Sequence, residues 1–293
     1  MSRPPVKKIK RIDRKEWTLS GPSILWLTTL FAIPTVLVFL ITFRSANSAG
    51  GIGGAWTLKT LFDLFQPAYP AIIWRTIWLS VLTTILCLGL ALPMAYYLAR
   101  LPQSRRPWVL LLVILPFWTN FLIRIFAWRT VLHPEGWLKQ FLVWIGLASP
   151  DTTLLYNSGA ILLVLVYTYL PFAILPLYAA AEKFDFSLLE AARDLGAKKL
   201  RAWWTVFVPG ISRGLLTAIL VVFIPALGSY AIPDLVGGPG SEMIGNKIAQ
   251  RVFSDRNLPH AAGLSSFLAL AVLTPVIVML LFRRDDLKGG GHP

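Results

Sequence analysis

The segment SLLEAARDLGAKKLRAWWTVFVP, residues 187–209, is a charged stretch between two long apolar runs of the chain. Ser187 and Glu190 have the spacing of a capping box, in which each side chain accepts a hydrogen bond from the backbone N–H of the other residue. The residues that follow predict a short helix that ends at Gly196, because glycine readily adopts the left-handed conformation that closes a helix. A second helical piece is predicted over residues 198–207. The whole segment is therefore expected to form a rigid helix–turn–helix hook.

The rest of the chain has the composition of a membrane protein. It is 56% hydrophobic and 14% charged, with a mean hydropathy of +0.64, whereas soluble domains carry about 25% charged residues. Six apolar runs reach the length of about 20 residues that a helix needs to cross a bilayer. They lack the alternation of barrel strands. We therefore predict an all-α integral membrane protein with six transmembrane helices, at residues 23–43, 76–99, 108–132, 159–180, 210–232 and 263–282.

The basic residues are concentrated in alternate segments of this six-span chain. The net charge is +14, and 18 of the 28 lysines and arginines lie in four places: the N-terminus, the loop that contains Arg100, the hook and the C-terminal tail. Cytoplasmic loops of membrane proteins carry an excess of Lys and Arg, so the hook and both termini are predicted to be cytoplasmic. Binding of anionic lipid by the basic N-terminus is an alternative role. No nucleic-acid partner is expected.

We divide the chain into three parts on this basis. A basic cytoplasmic segment covers residues 1–22, and a short cytoplasmic tail covers residues 284–293. Between them, one six-span membrane domain covers residues 23–283 and includes the hook at 184–208. No soluble appendage is expected.

No part of the sequence has the pattern of a catalytic or metal site. The only cysteine, Cys87, lies in the second predicted span, and the three histidines are scattered, so no metal-ligand spacing is present. Residues 240–247 are the nearest approach to a phosphate-binding loop, but Asn246 precedes the lysine and no Ser or Thr follows it. We therefore expect no enzyme activity, metal ion or cofactor on this chain.

The hook also carries a family motif. Its spacing is Glu190-Ala191-Ala192, three residues, Gly196, nine residues, Val206, one residue and Val208-Pro209. This resembles the EAA motif, E-A-A-x3-G-x9-I-x-L-P, of permease subunits in bacterial ABC importers, with valine for Ile and for Leu. The resemblance implies the type I ABC importer permease fold, in which the helix before the glycine is a coupling helix that docks on the ATPase. It implies ATPase contacts by Glu190, Ala191, Ala192, Asp194 and Gly196.

Other stretches are similar to spermidine/putrescine permeases. These are PFWTNFLIR at residues 116–124 and YLPFAILPLY at residues 169–178, and residues 223–248 follow the same family pattern. The resemblance implies an importer of polyamines in the bacterial inner membrane. It further implies two ATPase subunits that bind ATP and Mg²⁺, a second homologous permease, a periplasmic solute-binding protein, a small-molecule substrate and surrounding membrane lipid.

A polyamine pathway needs carboxylates and aromatic rings to receive ammonium groups. Tyr230 and Asp234 lie at the outer end of the fifth predicted span, and Trp118 and Asn120 lie in the third, so we expect them to line an outer vestibule. Arg124 lies four residues after Asn120, on the same helix face. Intramembrane arginines usually have a protein partner, so Arg124 is expected to have a structural or gating role, or to indicate an anionic solute. The aromatic residues could instead anchor helices at the membrane interface.

Several other functions stay open from the sequence. The same importer class could carry an opine, an amino-acid-like solute or another organic ion. An ion-driven secondary carrier is a second alternative, but it predicts buried carboxylates or an internal repeat, and the sequence displays neither. A non-transporting membrane scaffold for an ATPase is a third. It would explain the hook but not the many prolines within the apolar runs.

Overall fold

A computed structural model of the chain describes residues 14–47, 50–64 and 68–289. The ends of the two predicted cytoplasmic termini, residues 1–13 and 290–293, lie outside these ranges. In the N-terminal half the helices are α1 (Arg14–Leu27), α2 (Ile33–Ile41), α3 (Lys59–Asp63), α4 (Ala68–Arg100), α5 (Arg106–Ile114), α6 (Phe121–Val131) and α7 (Trp137–Trp144). A π-helical turn, Thr28–Ala32, joins α1 to α2, and a 3₁₀ helix, Leu115–Trp118, follows α5.

The C-terminal half contains two long helices and several short ones. They are α8 (Ser158–Ala181), α9 (Ser187–Asp194), α10 (Lys199–Ala202), α11 (Val208–Gly210), α12 (Ser212–Leu227), α13 (Ala231–Val236), α14 (Ile244–Phe253) and α15 (Leu258–Gly289). A π-helix, Trp203–Phe207, joins α10 to α11. The hook predicted from the sequence therefore comprises α9 and the helical stretch 199–210.

Three of the predicted spans are long apolar helices in the described residues. They cover residues 20–41, 69–100 and 158–181. Residues 258–274, the first part of α15, form an apolar helical stretch that overlaps the sixth predicted span. Residues 20–41 expose most of their apolar side chains, as expected for a helix that faces lipid. The total of six spans stays a prediction, because the other two predicted spans are broken.

The third predicted span, 108–132, is wrong as a continuous helix, and the helix of the fifth, predicted at 210–232, covers only Ser212–Leu227. Residues 106–118 and 121–131 meet at 87°, and residues 199–210 and 212–227 meet at 75°. The first break occurs where Thr119 is extended and Asn120 caps the next helix. The second occurs at Ile211, within three residues of the predicted boundary between the hook and the fifth span. Hydropathy does not detect the break at Thr119 and Asn120, because the sequence on both sides of it is apolar.

The centre of the molecule is a bundle of α4, α8 and α12, which pack closely against one another. Small side chains line this packing, and Ala91, Ala95, Ala173 and Ala218 are fully buried. Small residues allow the backbones of membrane helices to approach each other. The closest approach lies at Gly214, where an added Cβ would overlap the side chain of Ala180.

A β-hairpin makes the all-α prediction incomplete. Strands β1 (Arg44–Ala46) and β2 (Ile52–Trp56) pair in antiparallel register, with Arg44 opposite Trp56 and an irregularity before Ala46. The Arg44 guanidinium carbon lies 4.4 Å from the centre of the Trp56 ring, which is a cation–π contact. The backbone N–H of Gly51 donates to the carbonyl oxygen of Arg256 at 2.8 Å, so the hairpin is attached to the turn before α15.

Replacement of Gly214 by Ala is expected to destabilise the bundle. The new Cβ would also come within 2.9 Å of the carbonyl oxygen of Pro176, and backbone cannot easily move away. Gly89→Ala in α4 is the matched control, because a Cβ there meets nothing within 4 Å. We expect Gly214→Ala to lower the midpoint of thermal unfolding in detergent and Gly89→Ala to leave it unchanged or raise it. Equal midpoints for the two variants would contradict the close packing of α8 and α12.

Candidate functional site

The N-terminus of the hook helix α9 differs from the capping box predicted for Ser187 and Glu190. The N-cap residue is Phe186, and no side chain caps the helix there. Instead the backbone N–H of Ser187 donates to Oδ1 of Asp185 at 3.0 Å. Hydrogen bonds from the side chain and the backbone of Ser187 hold the pKa of Asp185 below its usual value. The predicted capping box is therefore wrong, and an Asx turn at Asp185 takes its place.

The C-terminus of α9 closes as the sequence predicts. Gly196 has φ +89°, the left-handed conformation. Its N–H donates to the carbonyl oxygen of Arg193 at 2.9 Å, and the N–H of Ala197 donates to that of Ala192 at 3.0 Å. These two bonds form a Schellman motif. Because a Cβ at Gly196 would meet no atom within 4 Å, glycine is required there for its backbone conformation and not for space.

The five predicted ATPase-contact residues occupy different surfaces of the hook. Glu190, Ala191 and Asp194 are exposed, whereas Ala192 is half-buried and packs against the core. Gly196 lies at the turn that ends the helix. The family motif thus combines residues that form an outer surface with residues that attach the helix to the membrane domain.

Two leucines that the sequence analysis did not single out dominate the outer surface of the hook. Leu195 is 90% exposed and Leu188 is 51% exposed, whereas Leu189 is buried. Exposed apolar side chains on a charged segment are typical of a protein contact surface. The sequence signal for them is that Leu188, Leu189 and Leu195 cannot all lie on the one face of α9 that is buried.

A cluster of aromatic rings attaches the hook to the bundle. Phe207 is fully buried at its centre. The centroid of its ring lies 5.2 Å from that of Phe184 and 5.1 Å from that of Tyr96, both nearly perpendicular to it. Phe186 and Trp203 complete the cluster at 6.2 and 5.9 Å. Edge-to-face geometry adds to the burial of these large rings, so the root of the hook is rigid.

Arg106 holds three helices together next to this cluster. Its Nε donates to the carbonyl oxygen of Leu101 at 2.7 Å and its Nη2 to that of Ala99 at 2.9 Å, at the end of α4. Its Nη1 forms an ion pair with Oε1 of Glu182 at 3.0 Å, just after α8, and that oxygen also accepts from the hydroxyl of Tyr178 at 2.9 Å. The ends of α4, α5 and α8 are therefore connected through one planar guanidinium.

At the other end of the molecule, Tyr230 and Asp234 line one cleft of about 560 Å³. Tyr230 is the N-cap residue of α13, and Asp234 lies in the first turn of that helix. Helix α12 ends at Leu227, so both residues belong to a separate short helix at the outer end of the fifth predicted span. The backbone N–H of Asp234 donates to the carbonyl oxygen of Tyr230 at 3.0 Å. The short helix thus presents a ring and a carboxylate side by side.

The same cleft contains residues that the sequence analysis missed. They come from distant segments: Tyr156, Glu242 and Phe253. Tyr156 has φ +62°, which is uncommon for a bulky residue and occurs preferentially at functional sites. Its hydroxyl accepts a hydrogen bond from Arg129 at 3.3 Å. Three aromatic rings and two carboxylates therefore surround the space.

Of the two carboxylates in the cleft, only that of Glu242 forms an ion pair in the described part of the chain. Oε2 of Glu242 lies 3.7 Å from Nζ of Lys247. Among the residues that the structure describes, Asp234 has no cationic partner within ion-pair distance. Asp234 is also exposed to the cleft. It is therefore the group best placed to receive a cation from solvent.

The other predicted pathway residues lie elsewhere. Trp118 is 75% exposed at the end of the 3₁₀ helix, and Oδ1 of Asn120 accepts the backbone N–H of Leu122 at 2.8 Å. The guanidinium carbon of Arg124 lies 4.5 Å from the centre of the Phe117 ring. Its Nε and Nη1 are buried and have no hydrogen-bond partner in the described parts of the chain. Helix α6 packs on α13, but these three residues do not line the cleft of Asp234.

Comparison with known proteins places the chain among transporter subunits. The family model for the binding-protein-dependent transport system inner membrane component matches residues 89–284. The chain is 34% identical over 262 residues to the spermidine/putrescine transport system permease protein PotB of Escherichia coli K12, with 89% of this chain and 94% of that protein covered. The PotB protein of Haemophilus influenzae is 35% identical over 262 residues, with coverage of 89% and 91%.

A second relative and a solved structure extend the comparison. The inner membrane ABC transporter permease protein YdcU of Escherichia coli K12 is 33% identical over 238 residues, 77% of this chain and 74% of that protein. A chain in the crystal structure of a bacterial ABC transporter involved in import of the acidic polysaccharide alginate superposes with a TM-score of 0.67 at 19% identity. The superposition covers 95% of this chain and 98% of that one. At this identity the likeness concerns the fold alone.

Truncation of Phe207 to Ala is expected to loosen the hook. Removal of a fully buried phenylalanine costs about 3–5 kcal/mol, so we expect a lower unfolding midpoint and faster backbone hydrogen exchange in residues 184–210. Phe62→Ala is the control, because Phe62 is 72% exposed. Unchanged exchange in residues 184–210 of the Phe207 variant would contradict the role of the aromatic cluster.

Proposed function

This chain belongs to the family of binding-protein-dependent transport system inner membrane components, and we propose that it is the permease subunit of an ATP-driven importer of polyamines. The observation that carries the proposal is the hook. It combines the spacing of the EAA motif with a closed helix α9, an exposed Leu195 and a root buried in aromatic rings. A rigid projection of this kind is suited to transmit a push from another subunit into the bundle.

We propose that the hook docks on an ATPase subunit that binds ATP and Mg²⁺. Leu188 and Leu195 would enter an apolar groove of that subunit, with Glu190 and Asp194 at the rim. Hydrolysis would occur on the ATPase, and this chain would carry no cofactor of its own. ATP binding would close two ATPases, draw the hooks of two permeases together and open the pathway outward. Hydrolysis would then reset the transporter.

The proposed arrangement in the membrane follows from the charge distribution. With six spans, in which the bent segments count as spans three and five, the hook and both termini would lie in the cytoplasm, where Lys and Arg are in excess. The cleft of Asp234 then opens on the periplasmic side, where a solute-binding protein would deliver its solute. A second homologous permease would pack beside the bundle of α4, α8 and α12 and complete the pathway.

Polyamines are the proposed solute for two reasons. The PotB relatives are named for spermidine and putrescine transport. The outer cleft also has the chemistry that such solutes require, because Asp234 and Glu242 can attract ammonium groups while Tyr156, Tyr230 and Phe253 offer ring faces. We propose that this cleft collects the cation before it enters the pathway. Arg124 would have a structural role, since its guanidinium lies on Phe117 across the break in span three.

ATP-dependent uptake of labelled spermidine and putrescine into proteoliposomes tests the proposed function. The complete complex is reconstituted with wild type, Gly196→Pro or Gly196→Asn. Proline cannot adopt φ +89° and lacks the N–H that donates to Arg193, so uptake should be abolished. Asparagine tolerates the left-handed conformation and should retain most of the uptake.

The outcomes separate the importer class from its solute. Polyamine uptake that survives Gly196→Pro would contradict the coupling role of the hook. Absence of polyamine uptake, with ATPase activity still stimulated by a loaded binding protein, would retain the importer and contradict the polyamine. Ion-gradient-driven uptake without ATP would contradict the importer class.

Substitution of Asp234 by Asn is expected to raise the KM for spermidine uptake. An exposed ion pair contributes up to about 1 kcal/mol, so the increase should be about two- to fivefold with kcat little changed. Asp151→Asn is the control, because Asp151 is also an exposed carboxylate in a predicted outer loop but does not line the cleft. The same KM in both variants would remove the cleft from the proposed pathway.

A further inference from the structure

A second cleft lies at the root of the hook, where it borders the aromatic cluster and shares Glu190 with the proposed ATPase surface. It has a volume of about 230 Å³ and is walled by the end of α4, by α9 and by the start of the second hook helix. Three of the side chains that line it are cations: Arg100, Arg193 and Lys199. The only carboxylate in its lining is that of Glu190. The cleft therefore carries an excess of two positive charges.

None of the cations in this cleft forms an ion pair with a carboxylate within the described ranges of the chain. The ion pairs there join Arg106 to Glu182, Lys247 to Glu242 and Arg251 to Asp255, and none involves a residue of the cleft. Arg100 is held in place by neutral groups. Its Nη1 donates to the hydroxyl of Tyr96 at 2.6 Å, and its guanidinium carbon lies 5.6 Å from the centre of the Phe186 ring. The guanidinium is thus oriented but not neutralised.

The surroundings of the cleft indicate the depth of a lipid headgroup. Trp203 forms part of the wall and lies in edge contact with Trp204, with ring centres 4.8 Å apart. Trp204 is 55% exposed and Leu200 is 70% exposed. Tryptophan is enriched where membrane proteins cross the headgroup layer, and exposed apolar side chains there can contact acyl chains.

We propose that this cleft binds the headgroup of an anionic phospholipid from the cytoplasmic leaflet. Phosphate oxygens accept paired hydrogen bonds from a guanidinium and a charged bond from an ammonium. Basic clefts between membrane helices on the cytoplasmic side suit such headgroups. Glu190 lies in the same cleft, and Asp194 lies beside Arg193 and Lys199 on the adjoining surface, but no ion pair joins either carboxylate to the cations. The lipid would therefore supply a phosphate that pairs with them. It would also contact α4, α9 and the second hook helix at once, and so stabilise the root of the hook.

The test measures lipid binding and not transport, so its failure is independent of the proposed solute. The complete complex, purified in detergent, is titrated with phosphatidylglycerol or phosphatidylcholine, and bound lipid is counted by native mass spectrometry. Wild type should bind phosphatidylglycerol in preference to phosphatidylcholine. Lys199→Gln and Arg193→Gln should each weaken phosphatidylglycerol binding by about fivefold, the contribution of one cation near an anionic lipid surface.

Lys183→Gln is the matched control. Lys183 is an exposed cation of the same loop but does not line the cleft, so this variant should bind as wild type does. Equal binding by the Lys199 and Lys183 variants would overturn the proposal. Displacement of phosphatidylglycerol by millimolar inorganic phosphate would assign the cleft to a free phosphate and overturn the lipid. Loss of the ATPase subunit from the Lys199 variant, with lipid binding unchanged, would assign the cleft to a protein contact and also overturn it.

Discussion

The buried ring of Phe207 packs the hook against the membrane bundle. This ring receives Tyr96 from α4, Phe184 and Phe186 from the segment before α9, and Trp203 from the preceding turn. Such pairs have defined separations and angles, and a close-packed interior resists deformation. A displacement of α9 must therefore shift the end of α4 and the start of α12 with it. The polar network of Arg106 adds α5 and α8 to the same assembly.

Interruptions of the apolar helices determine the structure around the cleft of Asp234. A break within a membrane protein frees backbone groups, which need partners because lipid offers none. Asn120 supplies one at 2.8 Å, and the side-chain amide of Asn246 donates to the carbonyl oxygen of Tyr230 at 3.3 Å. A further interruption, between Leu227 and Ala231, separates α13 from α12. Asp234 consequently faces a cleft instead of continuing along a span.

Charge has opposite sign in the clefts at the two ends of the molecule. The outer cleft contains Asp234 and Glu242, whereas the cleft at the root of the hook contains Arg100, Arg193 and Lys199. The outer cleft can concentrate a cation against the net charge of +14 of the chain. In the proposed arrangement, the cleft at the root of the hook would hold an anionic lipid headgroup, and the cleft of Asp234 would receive a cationic solute.

The sequence by itself determined the features that depend on near neighbours in the chain. The apolar runs, the closed helix at Gly196 and the family motif were all predictable, because helix termination and hydropathy are local properties. It failed at Ser187, where Asp185 offered a competing local hydrogen bond, and at residues 119–120 and 228–230, where the helix of a predicted span is interrupted. Only the tertiary structure decided that Tyr156, Asp234, Glu242 and Phe253 share one cleft. It also decided that Phe207 is the buried centre of the aromatic cluster at the root of the hook. These groups are far apart in sequence, and only long-range packing of α4, α8, α12 and α13 brings them together.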